Sequence, residues 1–295
     1  MNNLHNYHTH CSFCDGQQPP EATVRYAIRI GMTTLGFSSH APLGFETDWT
    51  MKPERLPDYM AEIKRLAQQY RSSIRILLGL EIDYTRHLDC PPAQLPERSA
   101  LDYQIGSVHF LGKNHDGFYW TVDGSPDELI QGITDSFHGQ IKPAVEYYYE
   151  LILQMASQNR PDIIAHIDLI KKNNQHNRFF NPDDKWYRDL TASVIRRLAH
   201  DHFLLEVNTG GIVRKRCPEL YPSPELLKQG LKDGLRLVLN SDAHSSNEIN
   251  GYFPEAIAIL KAIGYRELWQ FKDSEKETHQ QKESNAIGHW TPIAI

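Results

Sequence analysis

The chain has 295 residues, with 40% hydrophobic residues and a net charge of −6. That length suits one large domain or two small ones, and the apolar content can fill a sizeable core. The acidic balance argues against a nucleic-acid partner, which usually meets a basic field. It leaves room for a small anionic substrate, because bound cations can invert a local field.

Four cysteines (Cys11, Cys14, Cys90 and Cys217) include a single C-x-x-C, with no second pair to complete a structural zinc site. Reduced thiols are the expectation. The first residues show no basic-then-apolar pattern, and no apolar run approaches membrane-spanning length. A cytoplasmic protein without a membrane partner is expected.

Taken in order, residues 4–8 read as a strand ending in His8-Thr9-His10, whose two imidazoles fall on one side. Asp15 and a turn-forming Gly16 follow. Pro19-Pro20-Glu21 opens a helix that runs to Gly31. A strand over 34–38 ends at His40, a helix follows from Pro57, and residues 74–84 form a buried strand carrying Glu81 and Asp83. The next strand, 101–110, carries His109, and 111–141 reads as a Gly-rich excursion. Helices over 142–158 and 183–200 flank a strand at 162–168 bearing His166 and Asp168. Strands at 203–208 and 235–240 flank a helix over 223–234. The last strand leads into Ser-Asp242-Ala-His244, and a helix over 253–264 follows. This organisation predicts a single domain over 1–272, then a polar, loosely packed tail over 273–295.

Seven short strands alternating with helices predict parallel strands joined by right-handed crossovers. Periodicity does not separate an open sheet from a closed barrel. A seven-unit (β/α) barrel is favoured because candidate ligands come from nearly every strand, whereas an open sheet gathers them at its switch point. No glycine-rich nucleotide fingerprint is present.

The donors at strand ends are His8, His10, Asp15, His40, Glu81, His109, His166, Asp242 and His244. Each has a bland alternative: a lone histidine is often a hydrogen-bonded core residue, and Glu81 could pair with an arginine. Asp168 reads as a helix cap or as a group behind a ligand, and Asp83 carries the same ambiguity. Asn208 is a poor metal ligand. Nine donors at the ends of successive elements are better explained together. They exceed one four-coordinate ion and would saturate two or three, with Glu81 bridging.

Tyr7-His8-Thr9-His10 with Asp15-Gly16, Ser39-His40-Ala-Pro, Gly-Leu-Glu81-Ile-Asp, Gly-Ser-Val-His109, Ala-His166 and Asn-Ser-Asp242-Ala-His244 together resemble the motifs of the PHP (polymerase and histidinol phosphatase) superfamily. Their order is similar to that of its histidinol-phosphatase branch. The resemblance implies a distorted (β/α)7 barrel and three divalent ions, with Zn, Fe and Mn all compatible with these donors. It implies one ion on His8, His10, Glu81 and Asp242, a second on Glu81, His109 and His166, and a third on Asp15, His40 and His244. The implied reaction is metal-assisted hydrolysis of a phosphate monoester, most closely L-histidinol phosphate. Glu81 would stand beside the attacking water, and Asp242 is one candidate proton donor.

Phosphate also needs fixed cations. Arg214, in Gly-Gly-Ile-Val-Arg214-Lys-Arg, and Lys171, after the fifth strand, stand at suitable places. The loop Phe45-Glu46-Thr-Asp48-Trp49 could receive an amine and an imidazole by charge and stacking, with Glu46 as the acid. Rival readings are a PHP-type phosphodiesterase or nuclease, a non-catalytic metal-binding module lacking some ligands, and a metal-dependent amide hydrolase. The last usually uses a carboxylated strand-end lysine, and none is found at a suitable place. The oligomeric state is not legible in the residues.

Overall fold

Proline starts five of the helices, where its fixed φ is pre-organised and its missing N–H costs no intrahelical bond. The computed structural model describes residues 4–272 and 289–295. In chain order the elements are β1 (Leu4–Asn6), α1 (Pro20–Arg29), β2 (Met32–Phe37), α2 (Leu56–Gln69), β3 (Arg75–Asp83), β4 (Tyr103–Ser107), β5 (Phe110–Lys113), β6 (Tyr119–Thr121), α3 (Pro126–Phe137) and α4 (Ile141–Asn159). Then come β7 (Ile163–Ile164), α5 (Lys185–His200), β8 (Leu204–Asn208), α6 (Gly210–Val213), α7 (Pro224–Lys232), β9 (Arg236–Asn240), α8 (Phe253–Ile263), β10 (Glu267–Phe271) and β11 (Trp290–Ala294).

Seven strands form one sheet in the order β1-β2-β3-β4-β7-β8-β9, and every neighbouring pair is parallel. The sheet curls into a nearly closed barrel. The seam between β9 and β1 is not a regular ladder: Thr9 bridges Ala243, His10 N donates to Ala243 O (2.8 Å), and Tyr7 N donates to the Asn240 side chain (2.8 Å). The distortion has a local origin, because β7 has two residues and β1 three. The expected (β/α)7 barrel is therefore present, and no helix among the described residues is long and apolar enough to cross a membrane.

The helices bury their apolar stripes on the outside of the barrel. The interior is filled by a smaller cluster that includes Tyr7, Leu77, Tyr103, Ile163 and Val238. Tyr103 is its central strut: its hydroxyl lies 2.5 Å from Tyr7 O and 3.1 Å from Phe37 O, tying β4 to β1 and β2. Gly36 and Gly79 make room for that ring, since a Cβ at either would come within 2.4–2.5 Å of it.

Two stretches differ from the expectation. The excursion at 111–141 contains the antiparallel β5–β6 pair and α3, which begins at a Ser125 cap accepting from Glu128 N (3.1 Å). Trp120 is buried against α3, and these strands are too short to show an alternation. The expected tail over 273–295 does not hold for its last part. Residues 289–295 include β11, which pairs antiparallel with β10, while 273–288 lie outside the described residues. Pro292 disguises this strand in the sequence, and a two-stranded ribbon tolerates it.

Trp290 is buried under the barrel beside Tyr7 (ring centroids 5.0 Å) and Phe271 (5.3 Å). Phe271 N donates to the Tyr7 hydroxyl at 2.9 Å. The β10–β11 ribbon thus floors the barrel. Trp290→Ala should destabilise the protein by about 3–5 kcal/mol, measured as a lowered urea midpoint with little change in slope.

Candidate metal centre

All nine strand-end donors converge at the C-terminal mouth of the barrel. Asp15, His40, Glu81, His109, His166, Asp242 and His244 line a cavity of about 1160 Å³, and His8 and His10 lie fully buried behind them. The parallel strands explain the convergence, since every strand delivers its last inward residue to the same face. Asp15 reaches the site by the tight turn after β1. Gly16 makes that turn possible, because a Cβ there would lie 2.3 Å from Cys11 N. Asp242 has φ +50°, a left-handed conformation that an Asp side chain tolerates better than most.

The donors form three overlapping groups: His10 with Asp15, His40 and His244; His8 with His10 and Asp242; and Glu81 with His109 and His166. Glu81 joins them. Its Oε1 lies 3.2 Å from His166 Nε2, while its Oε2 lies 3.1 Å from His8 Nε2 and 3.0 Å from His40 Nδ1. His40 Nδ1 is buried yet makes no hydrogen bond despite this approach. Ligand atoms each about 2.1 Å from one ion sit roughly 3–3.5 Å apart, so the spacing and the orphaned nitrogen fit divalent ions. His10 Nε2 to Asp242 Oδ1 (3.1 Å) and His244 Nε2 to Asp15 Oδ2 (3.1 Å) have the same spacing.

The buried acids of the site draw positive charge towards it. Burial works against the Glu81 charge, but His40 and His8 hold its carboxyl well below the usual range. Burial, with His244 and His40 alongside, pulls the His10 imidazole down to about 3, so its lone pair is available. Burial alone would lower His8 too, but Glu206, Glu81 and Asp242 lift it well above its ordinary value.

Two carboxylates behind the donors fix ring orientations. Asp83 Oδ1 lies 2.8 Å from His109 Nδ1, and Glu206 Oε1 lies 2.7 Å from His8 Nδ1. Glu206 also accepts from Asn208 (2.9 Å), Asn240 (3.0 Å) and the His166 backbone N–H (3.1 Å), so every part of this fully buried carboxylate is satisfied. Sequence reasoning overlooked Glu206. The available signal was an acid inside the apolar run Leu-Leu-Glu206-Val, which is costly to bury without partners. Asp168 makes no side-chain cap; its Oδ2 accepts from Ser223 N at 2.9 Å.

The residues expected to meet a substrate divide. Arg214 lines the cavity, with Nη2 3.0 Å from Asp242 Oδ2 and Nη1 3.3 Å from His244 Nδ1. Lys171 does not line it: its Nζ pairs with Glu219 and lies 3.6 Å from Asp168. The short helical turn at Leu169–Lys171 rotates the next residue, Lys172, into the cavity instead. Glu46 is an exposed residue of the cavity rim. Beside it, Trp49 packs edge-on against His40 (4.5 Å) and parallel to Phe110 (5.7 Å), and Phe45 stacks on Tyr119 (3.9 Å). Cys14 Sγ approaches His10 Nδ1 at 3.6 Å but belongs to none of the donor groups.

Known proteins resemble this chain in sequence and in fold. The chain is 29% identical to the "Probable histidinol-phosphatase" of Deinococcus radiodurans, covering 90% of this chain and 96% of that one. It is 27% identical to the histidinol-phosphatase of Bacillus subtilis, covering 84% and 96%. Among solved structures, the histidinol phosphate phosphatase of Lactococcus lactis, complexed with zinc, L-histidinol and phosphate, has the same fold. Its TM-score is 0.64 at 23% identity, over 91% of this chain and 96% of that one. The family model described as the PHP domain matches residues 5–210, so the chain belongs to the PHP domain family.

Proposed function

We propose that the protein is a metal-dependent phosphatase that hydrolyses L-histidinol phosphate to L-histidinol and phosphate, a step of histidine biosynthesis. The observation that carries this reading is one cavity that joins three groups of metal donors, a guanidinium and an aromatic wall. The names of the relatives support it, as does the Lactococcus enzyme with its bound zinc, product and phosphate. Four thiols without a disulfide suit a reducing cytoplasm.

Three divalent ions fit the donors. His8, His10, Glu81 and Asp242 would hold one, Glu81, His109 and His166 a second, and Asp15, His40 and His244 a third. Zinc, iron and manganese all accept such ligands. When bound, the ions supply Lewis acidity and bring the pKa of water towards neutrality.

The protein's own groups do the rest. Glu81 spans the groups and keeps its two oxygens on different imidazoles. Glu206 and Asp83 hold His8 and His109 in one ring orientation, as carboxylates behind metal-bound histidines do. Arg214 faces the phosphoryl oxygens with a planar fork of donors. Asp242 serves as ligand and as anchor for Arg214. It is a poor proton donor, because Arg214 and His8, against the effect of burial, hold its carboxyl well below the usual range. The aromatic wall of Trp49, Phe110, Phe45 and Tyr119 offers faces to the imidazole, with Glu46 at the rim to accept from its N–H.

Steady-state kinetics on L-histidinol phosphate with defined metals test the reading, alongside elemental analysis. Turnover with close to three ions per chain is expected, and Glu81→Ala should remove turnover and lower the ion count. Full activity in chelator-stripped protein would exclude it. Glu206→Gln should weaken metal affinity about 10- to 100-fold, seen as loss of ions at lower chelator concentration. Arg214→Ala should lower kcat/KM by about 100- to 1,000-fold while the ion count stays that of the parent.

A further inference from the structure

One acid of the cavity has no role in the reading above. Asp123 follows β6, and the backbone bond from Val122 N to His109 O (2.8 Å) fixes it beside the donors of the Glu81 group. It lines the cavity. Its Oδ2 lies 3.1 Å from Lys172 Nζ, and Lys172 also donates to the Asp123 backbone carbonyl. Asn173 Nδ2 holds the neighbouring Gly124 O at 3.0 Å, so the segment is tied on both sides. Lys172 takes Oδ2, which leaves Oδ1 for a second cation. Although burial pushes the carboxyl up, Lys172 and His109 keep it below its ordinary value, so it is ionised.

The substrate's chemistry indicates what this oxygen faces. In L-histidinol phosphate the amine sits on the carbon next to the one bearing the ester oxygen, and the imidazole lies on the other side of it. The ammonium must therefore stay close to the phosphoryl group, near the floor of the cavity, while the ring extends towards the rim. Other acids outside the nine donors fit worse. Glu46 and Asp48 are exposed at the rim, and Glu128 is engaged by Thr121 N (2.9 Å) and the Thr121 hydroxyl (3.1 Å). Asp123 also stands beside a fixed cation. The Lys172–Asp123 pair thus presents positive and negative charge side by side, the complement of a substrate carrying phosphate and ammonium on adjacent carbons.

We propose that Asp123 is the amine-recognition residue of this site, pairing with the substrate's ammonium and setting the preference for amino-alcohol phosphates over plain alkyl phosphates. This rests on the histidinol-phosphatase reading. The test compares kcat/KM for L-histidinol phosphate and for 3-(imidazol-4-yl)propyl phosphate, which lacks only the amine. Metal-loaded wild-type, Asp123→Asn and Asp123→Glu proteins are measured, with the ion count as a control. Wild type should prefer the amino ester. Asp123→Asn should reduce that preference by on the order of 10- to 100-fold, and Asp123→Glu should keep most of it. A wild type without preference, an Asn variant that keeps it, or an equal fall on both esters would overturn the assignment. A wild type that hydrolyses the amine-free ester but not L-histidinol phosphate would instead overturn the reading of the substrate.

Discussion

A carboxylate buried among imidazoles, with no lysine or arginine beside it among the described residues, is the constraint on which the rest of this site depends. Glu81 sits at the end of an apolar strand, almost fully shielded from water, with imidazoles around both oxygens. Such a charge is very costly unless it is paired or shared with an ion. His8 stands between two buried carboxylates, Glu81 and Glu206, and relays the constraint to β8 and β9 through Asn208 and Asn240. Cutting one member leaves the next uncompensated, and for this reason the group behaves as one unit rather than as separate side chains.

The same side chains close the barrel. Asn240 accepts from Tyr7 N through Oδ1 and donates to Glu206 through Nδ2. Asn6 reaches Ser241 Oγ at 2.8 Å and accepts from the Ser241 N–H at 3.2 Å. The seam that lacks a regular ladder is stitched by asparagines placed next to the donors. Geometry at the mouth and closure of the sheet are therefore not separable properties of this chain.

Much of this was legible before any coordinates. Histidines and acids recurring at the ends of apolar runs read correctly as one cluster, because parallel strands convert sequence position into spatial position. Glu206 was hidden although, like Glu81, it stands two residues before the end of its strand, because no histidine follows it to mark the strand end and its inward direction is visible only once the barrel closes. Lys171 and Lys172 are adjacent, and which one enters the cavity is set by a single helical turn that propensity does not resolve. Asp123 lay in a stretch too short-stranded to show periodicity, although its Ser-Pro-Asp-Glu continuation carries a helix-start signature. The terminal strand was masked by a proline and by a polar stretch before it.

The floor of the barrel has a consequence for how the molecule comes into being. Trp290 packs on Tyr7, one residue before the first donor, so the stretch that follows β1 rests on β11, more than 280 residues later in the chain. Contacts of such long sequence separation form late, after the intervening chain has ordered. On the ribosome, β1 must wait without its seam partner until β9 has emerged, and uncovered beneath until β11 has. His8 and His10 pass the first part of that interval without Asp242, which follows β9.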